Sequence, residues 1–234
     1  MRFSYEGRPF TFFGGASNGD IVATFVAQDY EGPDYRGTIV VDVGANIGDS
    51  AAYFALRGAR QVIAVEPHPD TFSLLLKNLE ANGLQDVVTP LNVVVGESTG
   101  TMTVQFASRG DVSTRATPSD SGVSLPVVTL TDLLSRFHLR DPILKMDCEG
   151  CEYQSLLPLT TEVLRNFKHI VLEYHNGPGP LVQKLQNAGF SVRVQNSDRT
   201  GCPLVKPKSN RLGLISAIRQ GPRVEPGEAP RQHV

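Results

Sequence analysis

The stretch Val40-Val41-Asp42-Val43-Gly44-Ala45-Asn46-Ile47-Gly48-Asp49-Ser50 limits the possible folds more than any other part of the chain. It reads as a buried strand, a turn punctuated by two glycines, and the start of a helix, the unit that places a nucleotide-like ligand at a helix N-terminus. A pyrophosphate dinucleotide calls for the fuller Gly-x-Gly-x-x-Gly, because the middle glycine lets backbone approach the phosphates. Here Asn46 sits where its side chain would hinder that approach. The turn therefore favours a ligand without phosphates.

The rest of the chain repeats the strand and helix rhythm. Apolar or alternating runs at 38–43, 61–65, 86–95, 102–106, 123–128, 143–147, 168–173, 190–194 and 212–218 read as strands. Helical patterns fall at 49–56, 70–82, 131–137, 148–157 and 181–188, with Phe72, Leu75, Leu76 and Leu79 at helical spacing. Asp70 is the expected cap of its helix and Gly83 the residue that closes it. This order predicts an α/β fold: a doubly wound, mostly parallel, Rossmann-like sheet over residues 38–219. Residues 1–37 read as a small N-terminal extension, an antiparallel piece and one helix that cap or lid the main domain. The polar segment 107–122 reads as a mobile surface loop and 220–234 as a disordered tail.

A chain of 234 residues suits one large domain. Its net charge of −2 carries no electrostatic footprint for nucleic acid. No run approaches the roughly 18 apolar residues of a membrane span, and no signal segment opens the chain. Three cysteines make no disulfide framework and suit a reducing compartment, so the expectation is a cytoplasmic protein, with a homo-oligomer left open.

Ligands of such sheets sit beyond the carboxyl ends of the strands, where four polar points fall: 42–49, Glu66, 147–152 and 173–175. Glu66 lies 20 residues past Asn46, the spacing at which an acid accepts hydrogen bonds from ribose hydroxyls. Asp42 ends a buried strand and needs partners, from the turn it braces or from a ligand ammonium. S-adenosylmethionine meets these requirements.

Three blocks carry a more specific signal: Val41 to Asp49, Val62-Ile63-Ala64-Val65-Glu66-Pro67, and Leu144-Lys145-Met146-Asp147-Cys148-Glu149-Gly150-Cys151-Glu152. In that order, over about residues 38–195, they resemble the FkbM family of S-adenosylmethionine-dependent methyltransferases, with the class I methyltransferase fold. The resemblance implies that Gly44, Asn46 and Gly48 form the loop under the methionine part of the cofactor, that Glu66 holds the ribose, and that the segment from Asn92 to Gly96 borders the adenine. It also implies O-methylation of a small metabolite, sugar or glycan. Cys148 and Cys151 depart from the family pattern.

Methyl transfer from a sulfonium needs an aligned nucleophile and, for a hydroxyl, a proton acceptor. Asp147, at a strand end in the crevice, is the first candidate. Glu149 and Glu152 sit at a helix N-terminus, and His175 is the histidine placed where a base near neutral pH is useful. Together with Glu173 these residues could bind a divalent cation that positions a substrate diol, although strand-end carboxylates also arise from capping, and no metal ligand is assigned. Cys148, Cys151 and Cys202 read as small buried hydrophobes rather than a zinc or redox site. Arg193, Arg199, Lys206, Lys208 and Arg211 read as solvated surface, with an anionic substrate patch as the alternative. The competing functions are an NAD-dependent oxidoreductase and a non-catalytic cofactor-binding scaffold.

Overall fold

The structure is a computed structural model that describes residues 1–14, 19–106, 117–196 and 212–221. Of the expected loop at 107–122, residues 107–116 lie outside the described residues, as do the tail from 222 onward, Cys202 and the basic residues at 199–211; Thr117–Pro118 of that loop form a short strand instead. The chain opens with a hairpin, β1 (Arg2–Tyr5) and β2 (Arg8–Thr11), turned by Glu6 and Gly7 at positive φ. One helical turn, α1 (Asp20–Val22), runs into a π-helical turn at Ala23–Ala27. Then β3 (Ile39–Val43), α2 (Asp49–Leu56), β4 (Gln61–Val65), α3 (Pro69–Ala81), β5 (Val88–Leu91), β6 (Val94–Val95), β7 (Gly100–Gln105), β8 (Thr117–Pro118) and β9 (Val123–Val128) follow. The second half holds α4 (Leu130–Arg136), β10 (Ile143–Met146), α5 (Cys151–Leu156), α6 (Thr161–Leu164), β11 (His169–Tyr174), α7 (Gly179–Asn187), β12 (Phe190–Asn196) and β13 (Gly213–Arg219).

Seven strands form the main sheet in the order β12-β13-β11-β10-β3-β4-β5. The five strands from β11 to β5 are parallel, whereas β13 runs antiparallel to both β11 and β12. The chain winds outward from β3 in one direction and returns through β10 in the other, so the crevice between those strand ends is the topological switch point. The central strands are apolar on both sides because both faces are covered. Val41, Val43, Ile63, Val65, Leu144 and Met146 enter one core, and Val40, Val62, Ala64 and Ile143 enter the other.

The second core also takes in the N-terminal segment. Phe3 and Tyr5 each meet Phe25 edge-on at 5.2 Å, and Phe25 meets Tyr53 of α2 at 5.9 Å. Asn78 of α3, 1% exposed, accepts from Phe13 N and donates to Phe13 O and Ile47 O, tying the exit of β2 to the glycine turn.

Two expectations are corrected. The run 86–95 is not one strand: β5 belongs to the main sheet and β6 to a smaller sheet of order β6-β9-β7-β8. The chain bends at Asn92, whose side-chain amide donates to the carbonyls of Glu66 and Pro67 at 2.8 and 3.0 Å. The cap of α3 is His68 rather than Asp70, since Pro69 takes the first helical position and His68 Nδ1 accepts from Asp70 N and Thr71 N. No helix among the described residues is long and apolar enough to cross a membrane.

Candidate active site

The glycine turn between β3 and α2 holds Gly44, Asn46 and Gly48 at φ of 75°, 47° and 90°. Its backbone is pinned to the end of β4, where Gly44 N and Ala45 N donate to Val65 O at 2.9 and 3.0 Å. A Cβ on Gly44 would lie 1.8 Å from the carbonyl oxygen of Asp147, so the passing 147 segment admits only glycine here. Asn46 is a residue that tolerates the left-handed region. Its side-chain amide donates to the Asp20 carboxylate of α1, and its backbone N–H donates to Glu66 Oε2 at 3.0 Å. Glu66 Oε1 accepts from His68 N at 2.8 Å. Burial pushes the Glu66 carboxyl up to about 7, against these two N–H bonds, which pull it down.

Beneath the turn lies a buried ion pair. Asp42, fully buried, meets Lys145 Nζ at 2.9 Å and accepts from Ser50 Oγ at 2.7 Å. Lys145 also donates to Gly44 O at 2.6 Å. Burial acts to lower the Lys145 pKa, but Asp42, Asp147 and Asp49 outweigh it and hold the ammonium charged.

The facing wall comes from the ends of β10 and β11. His175 Nε2 lies 3.5 Å from Glu149 Oε2 and 3.8 Å from Asp147 Oδ1, while Nδ1 lies 3.2 Å from Glu152 Oε1. Glu152 is fully buried, and the same Oε1 accepts from Cys148 N at 2.9 Å. Tyr30 from the N-terminal segment donates to Asp147 Oδ2 at 3.4 Å. Burial alone would lower the His175 pKa, yet Glu152, Asp147 and Glu149 raise it. Glu173 is pushed up to about 8 by burial and by Asp147.

Cys148 and Cys151 form a disulfide, which corrects the expectation of two free buried thiols. The turn between them places Glu149 and Gly150 at positive φ, and this brings the two Cα atoms to 5.4 Å, within bonding range. The bridge spans the segment that carries Glu149 and leads into Glu152.

Between the two walls lies a cavity of about 800 Å³. Gly44, Asn46, Glu66, Asp147, Glu149 and His175 line it, with Val93 to Gly96 at one end. Asp42, Gly48 and Asn92 do not reach it: Asp42 braces the turn from below, Gly48 precedes α2, and Asn92 supports the end of β4. Sequence reasoning missed Asp20, Thr24, Asp29, Tyr30, Asp49 and Lys145, which also line the cavity. For Lys145 a signal existed, a lone charge inside the apolar run Ile143-Leu144-Lys145-Met146. The N-terminal residues carry no such mark, because only tertiary packing brings them here.

These carboxyls make stability depend on pH. Glu66 rises from 4.5 to about 7 and Asp20 from 3.8 to about 7, Asp20 through burial and then Asp49 and Asp147. The folded chain then holds more protons than the unfolded chain between about pH 4 and 7, so stability falls as pH rises through that window. Glu173 extends the fall toward pH 8, and His175, whose stabilisation is lost as pH rises, adds to it. His169, lowered by burial to about 4, acts oppositely only below pH 6.5. We expect the melting temperature of the ligand-free protein to fall from pH 6.5 to 8; a rise over that range in calorimetry would contradict the raised carboxyl values.

Residues 42–192 match the profile of the methyltransferase FkbM domain. The chain belongs to the FkbM methyltransferase family. A curated relative, the hexuronic acid methyltransferase AglP of Haloferax volcanii, is 25% identical over 164 residues. The match takes in 69% of this chain and 66% of the relative, so the chain spans just under two thirds of its length. Two solved structures share the Rossmann-like fold. TYW2 of M. jannaschii, in complex with AdoMet, is 16% identical with a TM-score of 0.51, covering 94% of this chain and 86% of its own. Fibrillarin of Aeropyrum pernix, with natively bound S-adenosyl-L-methionine, is 13% identical with a TM-score of 0.50, covering 93% and 82%. The FkbM domain thus extends from the buried Asp42 into the start of β12.

Proposed function

We propose that this chain transfers the methyl group of S-adenosylmethionine to a hydroxyl of a sugar or glycan. The charge of the cavity carries the proposal. Eight carboxyl groups line it, those of Asp20, Asp29, Asp49, Glu66, Glu97, Asp147, Glu149 and Glu173, against the side chains of Lys145 and His175 and no arginine among the described lining residues. Burial raises the pKa of Asp20, Asp49, Glu66 and Glu173, and a cation brought among them favours their ionised forms. A donor that is itself cationic gains from that field, and a pyrophosphate dinucleotide is repelled by it. Glu66 keeps acceptor capacity beyond its two backbone bonds, which suits it to ribose hydroxyls. The cavity volume is in the range of small-molecule sites.

The donor supplies a methyl group already activated on a sulfonium. What remains for the protein is alignment and a place for the hydroxyl proton. Asp147 stands at the strand end with its carboxylate toward the cavity, beside Glu149 and a His175 whose Nδ1 faces Glu152. A sugar hydroxyl placed against Asp147 would be oriented by that carboxylate and would pass its proton into this group. The named activity of AglP supports a uronic acid or related sugar as acceptor.

Calorimetry with S-adenosylhomocysteine and NAD, followed by turnover on a panel of sugars and uronic acid glycosides, tests the proposal. Binding of NAD without S-adenosylhomocysteine would favour the oxidoreductase, and cofactor binding without turnover on any acceptor the scaffold. Glu66→Ala is expected to weaken S-adenosylhomocysteine binding by about 1–3 kcal/mol, the worth of charge-assisted hydrogen bonds. An unchanged dissociation constant would remove Glu66 from the ribose.

A further inference from the structure

We propose that Asp147, Glu149 and His175 bind a divalent cation, which holds two neighbouring oxygens of the acceptor at the mouth of the reaction site. The cation's role rests on the methyltransferase assignment; its site does not.

One ligand atom from each of the three side chains lies within 4.8 Å of the other two. His175 Nε2 stands 3.5 Å from Glu149 Oε2 and 3.8 Å from Asp147 Oδ1. Ligands at right angles around an ion at about 2.1 Å stand about 3.0 Å apart, so each His175 pair needs to close by under about 1 Å and no pair by more than about 2 Å. The three residues come from two adjacent parallel strand ends, β10 and β11, and the Cys148–Cys151 bridge spans Glu149.

A second, separate observation points to a bound cation. Glu152 is fully buried, its Oε1 faces His175 Nδ1 at 3.2 Å, and its Oε2 has no hydrogen-bond partner. Glu152 thus stands behind the ring at Nδ1, while Nε2 faces Asp147 and Glu149. That is the carboxylate–histidine arrangement found behind metal-bound imidazoles. A buried carboxylate with an unsatisfied oxygen is costly without positive charge nearby, and a cation held at Nε2 would supply it in place of the imidazole's own proton.

The donor set also narrows the ion. Two carboxylates and one imidazole suit a borderline divalent ion such as Mn²⁺ better than Ca²⁺, which takes oxygen ligands alone. The open coordination positions would face the cavity, and a vicinal diol or a hydroxyl beside a carboxylate could fill two of them. This answers a difficulty of charge, since an acidic sugar entering the cavity meets many carboxylates and no arginine among the described lining residues.

The test uses the full chain stripped with EDTA and titrated with Mn²⁺ alone, followed by the paramagnetic resonance signal of free Mn²⁺, with S-adenosylhomocysteine titrated in parallel. We expect one saturable Mn²⁺ site per chain, weakened at least about tenfold by Glu149→Gln and by Asp147→Asn, as for loss of a ligand or its support. Unchanged S-adenosylhomocysteine binding in both variants verifies that they are folded. A protein that binds S-adenosylhomocysteine but has no saturable Mn²⁺ site overturns the proposal, as does a site that survives both substitutions. Mn²⁺ binding with those losses but without S-adenosylhomocysteine binding would uphold the site and overturn its role in methyl transfer.

Discussion

Replacing Asp147 by asparagine is expected to lower methyl transfer by about 10²–10⁴-fold while changing S-adenosylhomocysteine affinity by less than about threefold. Asparagine keeps the shape of the side chain and can still accept from Tyr30, whose hydroxyl lies 3.4 Å from Oδ2. It removes the charge that faces His175 and, on the proposal above, one ligand of the cation. Because the donor contacts proposed for Glu66 and the glycine turn do not use the Asp147 side chain, the loss falls on the chemical step. Steady-state rates on an accepted sugar, with calorimetry on the same preparation, separate the two effects. Equal turnover in the variant would take Asp147 out of the chemistry.

Lys145→Met is expected to destabilise the protein by about 3–5 kcal/mol, the cost of stranding one partner of a buried ion pair. Lys145 is 2% exposed and Asp42 fully buried, so the orphaned carboxylate has no access to water and keeps only Ser50 as a polar partner. Gly44 O also loses its bond from Nζ. Removing the second charge as well, in Asp42→Asn with Lys145→Met, should recover a substantial part of the loss. Urea denaturation curves measure both variants, and a single variant that unfolds at the wild-type midpoint would show that the pair does not hold the two strands together.

The central strands were legible because both faces of a parallel sheet are covered, which leaves apolar runs that need no alternation. Strand direction leaves no such trace: β13 has the composition of its neighbours and runs against them. The division at Asn92 was hidden for a related reason, since an apolar run continues past the bend and only the carbonyls of Glu66 and Pro67 reveal it. At the site, Gly44, Asn46, Glu66, Asp147, Glu149 and His175 could be picked out because strand ends of this topology converge. Asp42 was correctly expected to need partners, but which partners depends on register: Lys145 stands opposite it across β3 and β10. The Cys148–Cys151 bridge was missed because a pair spaced by two residues is equally compatible with free thiols, and the positive φ of Glu149 and Gly150 decides between them.

The absence of room for a side chain at Gly44 has a consequence for how such an enzyme can change. Donor loop and acceptor-side carboxylate touch through backbone, Gly44 against the Asp147 carbonyl, and the strands behind them are hydrogen-bonded in fixed register. The span a methyl group must cross is thus built into the sheet and insulated from the identity of the substrate. Walls contributed by the N-terminal segment meet that junction through side chains, Asp20 at Asn46 and Tyr30 at Asp147, so exchanging them leaves the backbone contact itself in place. A designer seeking a new acceptor would rebuild those walls and leave the Gly44 to Asp147 junction untouched, as a fixture that keeps its calibration while the tooling around it is replaced.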